Sequence, residues 1–204
     1  MSLYIAFLIA AVVLAVTPGP GIAYVVARTS AGGRSEGLAS CLGTALGGLC
    51  HVLAASLGVS ALIARSAVAF STVKYVGAVY LIYLGLRLLI RNDVPAVATD
   101  AVTRGPRRAL IDGVLVEVLN VKTALFFLAF LPQFVNTGKP VILQLILLGI
   151  TCVTLNTVVD LVAVLTTARL LRSERMRAAR ARLMNRISGA TMIGIGSFLS
   201  LSER

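Results

Sequence analysis

The sequence predicts an all-α integral membrane protein with six transmembrane helices that form a single domain over residues 1–204. Three observations support this class. Of the 204 residues, 58% are hydrophobic and only 13% are charged, whereas a soluble domain has about half apolar and about a quarter charged residues. The mean hydropathy is +0.94. The apolar residues also form long stretches separated by short polar or basic segments, which is the pattern of a multi-pass helical bundle.

Six stretches are apolar and long enough to cross a bilayer as helices, for which about 20 residues suffice. The first lacks the basic region and the cleavage site of a signal peptide, so we expect it to remain a membrane span. The second carries Ala39, Gly43 and Gly47 at four-residue spacing, which allows another helix to approach its backbone closely. The predicted spans cover residues 3–27, 37–63, 68–90, 110–135, 141–168 and 184–201.

The loops between these spans differ in their content of basic residues. The first, third and fifth loops, counted with Arg186 at the start of the sixth span, carry thirteen Lys and Arg residues, whereas the second and fourth carry two. Basic loops stay on the cytoplasmic side of a membrane, so this asymmetry places both termini on the outer side. It also accounts for the net charge of +11. Because no nucleic-acid recognition motif accompanies that charge, we expect no nucleic acid as a partner.

The chain divides into two halves, residues 1–92 and 108–204, with three predicted spans each. Two related halves with an odd number of spans are inverted relative to each other. The third span has Lys74-Tyr75-Val76-Gly77-Ala78 near its start, and the sixth has Arg186-Ile187-Ser188-Gly189-Ala190. Both segments consist of a basic residue, two further residues and Gly-Ala, which is a short internal sequence similarity. Each half also begins with an interrupted span. Paired interruptions of this kind are typical of secondary transporters, whose substrate site lies between them.

The segment Thr17-Pro18-Gly19-Pro20 interrupts the first span. Proline fixes φ and lacks a hydrogen-bond donor, so a regular helix cannot continue through it. Lipid does not satisfy the backbone groups that a broken helix frees, and the break must therefore face protein or a water-filled cavity. We expect Pro18, Gly19 and Pro20 to contribute to a transport cavity. Tyr24 either presents its hydroxyl to that cavity or packs near the membrane interface.

The segment Leu119-Asn120-Val121-Lys122 places polar residues inside the fourth span. Glu117 and Asn120 are three residues apart and share one helix face. Lys122 lies about 140° around the helix from Glu117, unless the helix breaks near Asn120. With such a break, the carboxylate, the amide and the ammonium group could hold the two charged ends of a zwitterion. The alternative is a neutral Glu117–Lys122 pair that links two helices.

Asp160 lies deep in the fifth span, with Asn156 four residues earlier on the same helix face. Ionisable groups inside a span are functional candidates, because an unpaired charge is costly in a bilayer. Asp160 fits a proton carrier or a ligand for an ammonium group. The alternative is a hydrogen bond or an ion pair with another helix, for example with Lys122.

The remaining reactive side chains form no recognisable catalytic or metal site. Cys41 and Cys50 are nine residues apart and lie on opposite faces of a helix, and His51 is the only histidine. The three cysteines imply no disulfide framework. We expect neither a metal site nor a cofactor, and the lack of a nucleophile–base pair argues against an enzyme.

Several motifs, read together, cover essentially the whole chain. The first half contains Thr17-Pro18-Gly19-Pro20, Gly33-Arg34, Gly37, Gly43, Gly47, Lys74-Tyr75-Val76-Gly77-Ala78, Tyr80-Leu81 and Tyr83-Leu84-Gly85. The second half contains Asn120-Val121-Lys122-Thr123, Phe126-Phe127 and Leu131-Pro132-Gln133-Phe134. This combination resembles the LysE/RhtB family of amino-acid exporters. That family usually reads Asn-Pro-Lys at Asn120-Val121-Lys122, so the resemblance leaves open whether the fourth helix breaks here.

The resemblance implies an antiporter of the bacterial inner membrane that exports amino acids or close derivatives and is driven by protons. Its partners would be the amino acid, protons and the lipid bilayer, both termini would be periplasmic, and a homodimer is compatible with it. The alternative is a small ion or metal exporter, or a channel, of related architecture; such proteins use rings of carboxylates or several His and Cys ligands. The candidate substrate-binding and transport residues are Pro18, Gly19, Pro20, Tyr24, Glu117, Asn120, Lys122, Asn156 and Asp160.

Overall fold

A computed structural model describes residues 2–90 and 103–170 and, towards the C-terminus, residues 186, 190, 192–194, 196, 197 and 200. All regular elements in these ranges are helical, which confirms the all-α class for the described residues. Most of the predicted sixth span and of the basic fifth loop lies outside them. The elements are α1 (Ser2–Val16), α2 (Pro20–Arg65), α3 (Ala67–Ile90), α4 (Pro106–Val118), α5 (Val121–Leu125), a π-helical turn (Phe126–Phe130), a 3₁₀ turn (Leu131–Phe134) and α6 (Val141–Leu170).

Long apolar helices make up most of the described structure. Judged by length and composition alone, without regard to the reversal within α2 described below, Pro20–Val59 and Val141–Thr167 could each cross a membrane, and the bent pair Pro106–Val118 and Val121–Phe134 adds a third span if it is counted as one. Large aliphatic side chains lie on the outer faces of these helices, and Leu57, for example, is 67% exposed. Exposed apolar surface of this extent suits contact with lipid. The structure therefore supports a membrane protein, and the count of six spans stays a prediction.

Helix α2 is a hairpin, although its helical backbone is nearly continuous. Gly33 departs from helical geometry with φ 71°, a conformation that glycine adopts without a steric penalty. A Cβ atom built on Gly21 would lie 3.8 Å from the side chain of Thr44, whereas a straight helix would separate these two positions by about 34 Å. The chain therefore reverses at Gly33. We call residues 20–32 the first leg and residues 34–65 the second leg of α2.

Buried polar contacts hold this reversal in place. Arg28 on the first leg and Glu36 on the second leg form an ion pair at 3.7 Å, and both side chains are buried. The other carboxylate oxygen of Glu36 accepts a hydrogen bond of 2.8 Å from the backbone N–H of Gly105, just before α4. Residues 28–36, which the hydropathy pattern assigns to a loop, extend both helices in the structure.

The second leg of α2 packs closely against α4 and α6. A Cβ atom on Gly43 would overlap the backbone of α4, so only glycine allows this approach. The second leg runs antiparallel to α6, since Thr44 contacts Asp160 and Gly48 lies against Val153. This close packing agrees with the small-residue spacing in the second predicted span.

Aromatic side chains connect α1 to the end of the fourth predicted span. The ring of Phe7 on α1 lies 5.5 Å from the ring of Phe134, and Phe134 lies 5.2 Å from Phe130. Phe130 in turn contacts Phe126 at 4.9 Å. Tilted and edge-to-face pairs at such distances are favourable. The cluster positions α1 against the second half of the chain.

Both predicted interruptions are present in the structure. Helix α1 ends at Val16 and α2 begins at Pro20. Helix α4 ends at Val118 and α5 begins at Val121, and the two parts of this span differ in direction by 45°.

The second break forms without a proline. Asn120 takes an extended conformation (φ −74°, ψ 99°), and its side-chain oxygen accepts a hydrogen bond of 3.1 Å from the backbone N–H of Lys122. Asn120 is therefore the N-cap of α5, a role for which asparagine is among the preferred residues. The cap satisfies a backbone donor that the break frees, and the fourth helix breaks here through a polar side chain.

Candidate functional site

One cavity lies between the two helix breaks and the helices α2 and α6. Its empty volume is about 510 Å³, which includes space open to the surface. Three lining residues carry ionisable side chains, namely Glu117, Lys122 and Asp160. Six further lining side chains are polar: Thr17, Thr44, Asn120, Thr123, Asn156 and Thr157. The fold thus gathers one ammonium group and two carboxyl groups from distant parts of the sequence into one cavity.

Lys122 connects the two helix breaks. It is 8% exposed, and its ammonium group donates hydrogen bonds to the carbonyl oxygens of Thr17 at 2.8 Å and Leu14 at 3.2 Å. These carbonyls belong to the end of α1, where a helix leaves acceptors without an intrahelical partner and favours a cation. Gly19 provides the space, since a Cβ atom there would lie 3.0 Å from Nζ of Lys122. Lys122 therefore holds the end of α1 against the start of α5.

Glu117 is held by residues of the second break. Its Oε2 atom accepts a hydrogen bond of 3.0 Å from the side-chain amide of Asn120, and its Oε1 atom accepts one of 2.6 Å from the hydroxyl of Thr123. The backbone carbonyl of Glu117 lies 2.8 Å from Nε2 of His51. Among the ion pairs of the described residues, none joins Glu117 to Lys122. The two groups line one cavity without forming the direct pair that one sequence interpretation predicted.

Asp160 occupies the α6 side of the cavity. It is 7% exposed, and its Oδ2 atom accepts a hydrogen bond of 2.9 Å from the hydroxyl of Thr44 on the second leg of α2. A hydrogen bond to another helix was one of the two interpretations of this residue, but the partner is Thr44 and not Lys122. The contact does not remove Asp160 from the cavity wall, so a proton or a ligand can still reach it.

Six of the nine candidate residues line this cavity, and three do not. Pro18 and Pro20 flank the lining residue Gly19 at the first break. Tyr24 points to α4, where its hydroxyl donates a hydrogen bond of 3.0 Å to the backbone carbonyl of Ala109. The six that line the cavity are Gly19, Glu117, Asn120, Lys122, Asn156 and Asp160.

Sequence reasoning missed the threonines whose hydroxyls bind the carboxyl groups of the site, Thr44 and Thr123. Their hydroxyls bind Asp160 and Glu117, respectively. A threonine within an apolar helix usually bonds a carbonyl of its own helix, so neither position has a sequence signal of its own. Gly21 was missed because a glycine has no side chain that could mark it as part of a site, although a Cβ atom there would lie 2.6 Å from Oε2 of Glu117.

Comparisons with known proteins add independent evidence. A family model described as LysE type translocator matches residues 12–203. An uncharacterized membrane protein of Vibrio cholerae is 31% identical over 204 residues, which cover 100% of this chain and 98% of that protein. The homoserine/homoserine lactone efflux protein of Salmonella typhimurium is 26% identical, with 97% and 95% covered. The leucine efflux protein of Klebsiella pneumoniae is 26% identical, with 97% and 94% covered. No solved structure matches the chain significantly.

Proposed function

Because the chain belongs to the LysE type translocator family, we propose that it exports amino acids or close derivatives from the cytoplasm in exchange for protons. Relatives over nearly the whole chain are named as homoserine/homoserine lactone and leucine efflux proteins. Homoserine and leucine are therefore the first cargoes to test. We also propose that the protein lies in the bacterial inner membrane as two inverted three-helix repeats, with six spans and periplasmic termini. The basic odd-numbered loops and the paired breaks support this topology.

The observation that carries this proposal is the pairing of opposite charges across one cavity between two helix breaks. An amino acid is a zwitterion at neutral pH, so its site must satisfy a carboxylate and an ammonium group at once. Lys122 provides positive charge for the carboxylate. Asp160 and Glu117 provide negative charge for the ammonium group. These groups line the cavity together, which supports zwitterion binding.

Proton coupling is proposed on the position of Asp160. A carboxylate inside a membrane protein must be matched by a positive charge, because an unpaired charge is costly there. Asp160 has no ion pair among the described residues. A proton or the ammonium group of the cargo supplies the match, so the two alternate at this residue during exchange.

Transport by the purified protein in liposomes tests the proposal. A pH gradient is imposed across the liposome membrane, and the transport of each common labelled amino acid is measured. We expect the gradient to drive transport of homoserine or leucine. Asp160→Asn keeps the side-chain shape and removes the titration, so it should abolish transport driven by a pH gradient and keep some exchange of one amino acid for another, since Glu117 still offers negative charge to the ammonium group. Gradient-driven transport at the wild-type rate by Asp160→Asn would assign the coupling to another group, with Glu117 as the next one to test.

The same liposomes separate this function from ion or metal export. No three His, Cys, Asp or Glu side chains in the described ranges are grouped so as to hold a metal ion. Fluxes of divalent and monovalent metal cations should therefore equal those of protein-free liposomes. Cation flux through the wild type without transport of any amino acid would contradict the proposed function.

A further inference from the structure

The hydroxyl of Thr44 has two hydrogen-bond partners but only one hydrogen. Its oxygen lies 2.9 Å from the backbone carbonyl oxygen of Cys41 and 2.9 Å from Oδ2 of Asp160. A carbonyl oxygen only accepts, whereas a hydroxyl both donates and accepts. If Thr44 donates to Cys41, it can bind Asp160 only by accepting a proton that Oδ2 carries. If Thr44 donates to Asp160, Oδ2 carries no proton.

Both protonation states of Asp160 are therefore satisfied by the same positions of the heavy atoms. Only the hydroxyl hydrogen of Thr44 has to rotate between the two acceptors. A buried polar group that loses its partner is costly, and most buried carboxyl groups must rearrange when they titrate. The Thr44 hydroxyl removes that requirement for Asp160.

The second carboxyl oxygen of Asp160 remains available to a ligand. The hydrogen bond of Asp160 within the described residues ends at Oδ2, while Asp160 lines the cavity next to Asn156 and Thr157. A ligand in the cavity that donates hydrogen bonds can therefore bind Oδ1 without displacing Thr44.

The charges around Asp160 favour a cationic ligand. Glu117 from α4 and Lys122 from α5 line the same cavity, and α2 contributes the thiol of Cys41, which lies 3.8 Å from the carbonyl oxygen of Thr157. Helix α1 and the 3₁₀ turn also pack against α6 and contain no charged residue. With both carboxyl groups and Lys122 ionised, these groups carry one excess negative charge. One proton or one ammonium group restores neutrality.

We propose that Thr44 and Asp160 form an exchange site that holds, in turn, a proton or the primary ammonium group of the cargo. In the proton-loaded state, Oδ2 of Asp160 donates to Thr44, and Thr44 donates to the carbonyl of Cys41. When the ammonium group binds Oδ1, the proton leaves Asp160 for water in the cavity, and the Thr44 hydroxyl rotates to donate to Oδ2. Thr44 is the positioning residue of this exchange. The inference rests on the proposed function and narrows its cargo to compounds with a free primary ammonium group.

Infrared difference spectroscopy of the protein in liposomes tests the proton-loaded state without any cargo. Between low and high pH, the wild type should show the carbonyl-stretch band of a protonated carboxyl group, and Asp160→Asn should lack this band. Thr44→Val keeps the side-chain shape but neither donates nor accepts, so the band should shift. Thr44→Ser should restore the wild-type position. A band at the wild-type position in Thr44→Val would overturn the inference.

Thr154→Val is the matched control for the loss of a hydroxyl on this helix bundle. Thr154 is exposed on α6, and its hydroxyl donates to the carbonyl of Ile150 in its own helix at 2.8 Å. The band of Asp160 in this variant should coincide with that of the wild type. A shift as large as that of Thr44→Val would mean that the band reports general packing, and would also contradict the inference.

The claim that a primary ammonium group displaces the proton of Asp160 is tested with leucine, homoserine, leucine methyl ester and N-acetyl-leucine at low pH. The first three carry a primary ammonium group and should reduce the band of protonated Asp160, whereas N-acetyl-leucine should not. Competition between one proton and one ammonium group also predicts that the apparent affinity for leucine methyl ester falls about tenfold per pH unit at low pH, and that Asp160→Asn loses this dependence. If none of the three amines reduces the band, the inference is wrong.

The two proposals fail separately. The wild type could transport amino acids while the Asp160 band is changed neither by Thr44→Val nor by any of the amines. That result would leave the proposed function intact and overturn the exchange site. The expected spectra from a wild type that transports no amino acid would support the exchange site and contradict export.

Discussion

At the scale of single residues, Lys122 has two roles that are difficult to separate by inspection. Its ammonium group closes the end of α1 through hydrogen bonds to Thr17 and Leu14. The same group is the positive charge of the cavity. Burial of a charge opposes folding, while hydrogen bonds to a charged donor each contribute about 1.5–3 kcal/mol. Removal of the ammonium group would leave those two buried carbonyls without this donor, which costs about 1–3 kcal/mol for each buried group, so we expect Lys122 to matter for stability as well as for transport.

The substitution Lys122→Met tests this expectation. Methionine has a similar length and no charge, but it leaves the buried carbonyls of Thr17 and Leu14 without their donor, so the temperature of thermal unfolding in detergent should fall. Export should fall about tenfold or more, since the carboxylate of the cargo loses its partner. Lys139→Met, in an exposed turn before α6, removes the same charge and should export normally. Wild-type export by Lys122→Met would show that Lys122 is a structural link only.

At the scale of elements, the two breaks are made by different local chemistry. The first break depends on Pro18 and Pro20, which exclude a continuous helix. The second depends on Asn120, which caps α5 after the backbone has left helical geometry. Both breaks leave backbone groups without a partner in their own helix, and side chains of the cavity form hydrogen bonds with these groups. A break in a membrane helix is therefore specified by more than one residue type.

Replacing both Pro18 and Pro20 with alanine should join α1 to the first leg of α2. Proline opposes a helix interior by about 3 kcal/mol relative to alanine, so its removal allows the helix to continue and moves the carbonyl of Thr17 away from Lys122. We expect normal insertion, measured by membrane fractionation, and loss of export.

Pro106→Ala is the control for that double variant. Pro106 is exposed and begins α4, a position where proline is favourable but not required, so export should persist. An inserted Pro18→Ala, Pro20→Ala protein that exports like the wild type would show that transport does not need the break.

At the scale of the whole molecule, helices that are distant in sequence form the site. The second leg of α2 lies against both α4 and α6, and it thereby brings Glu117 and Asp160 to one cavity. The direction of these helices across the membrane is predicted by the basic loops. Packing and orientation can therefore be tested independently of each other.

Packing is tested by a disulfide between α2 and α6. A Cβ atom on Gly48 would lie 3.8 Å from the Cβ atom of Val153, which is close to the mean separation in disulfides. Gly48→Cys with Val153→Cys, in a chain whose three native cysteines are replaced, should form a linked peptide pair that mass spectrometry detects after digestion. Gly58→Cys with Val153→Cys should not, because nothing lies within 4 Å of a Cβ atom on Gly58. Absence of the first link would contradict the arrangement of these helices.

Orientation is tested by reporter fusions in cells. Fusions after residues 100 and 178, which lie in the basic third and fifth loops, should report the cytoplasm, and a fusion after residue 139 should report the periplasm. A periplasmic signal from either of the first two positions would reverse the predicted topology.

The sequence by itself determined the membrane class, the first helix break and the three ionisable groups of the cavity, Glu117, Lys122 and Asp160, whereas it left open whether the fourth helix breaks. These features are local, because hydropathy, proline and a charge inside an apolar stretch each act within a few residues. Only the tertiary structure decided that Lys122 binds the end of α1, that Thr44 binds Asp160, that Tyr24 points to α4 and that α2 reverses at Gly33 with Arg28 and Glu36 buried. Each of these depends on which helix faces are brought together. The free energy that favours those contacts comes from close packing and hydrogen bonds between segments that are distant in sequence. A local sequence pattern therefore does not predict them.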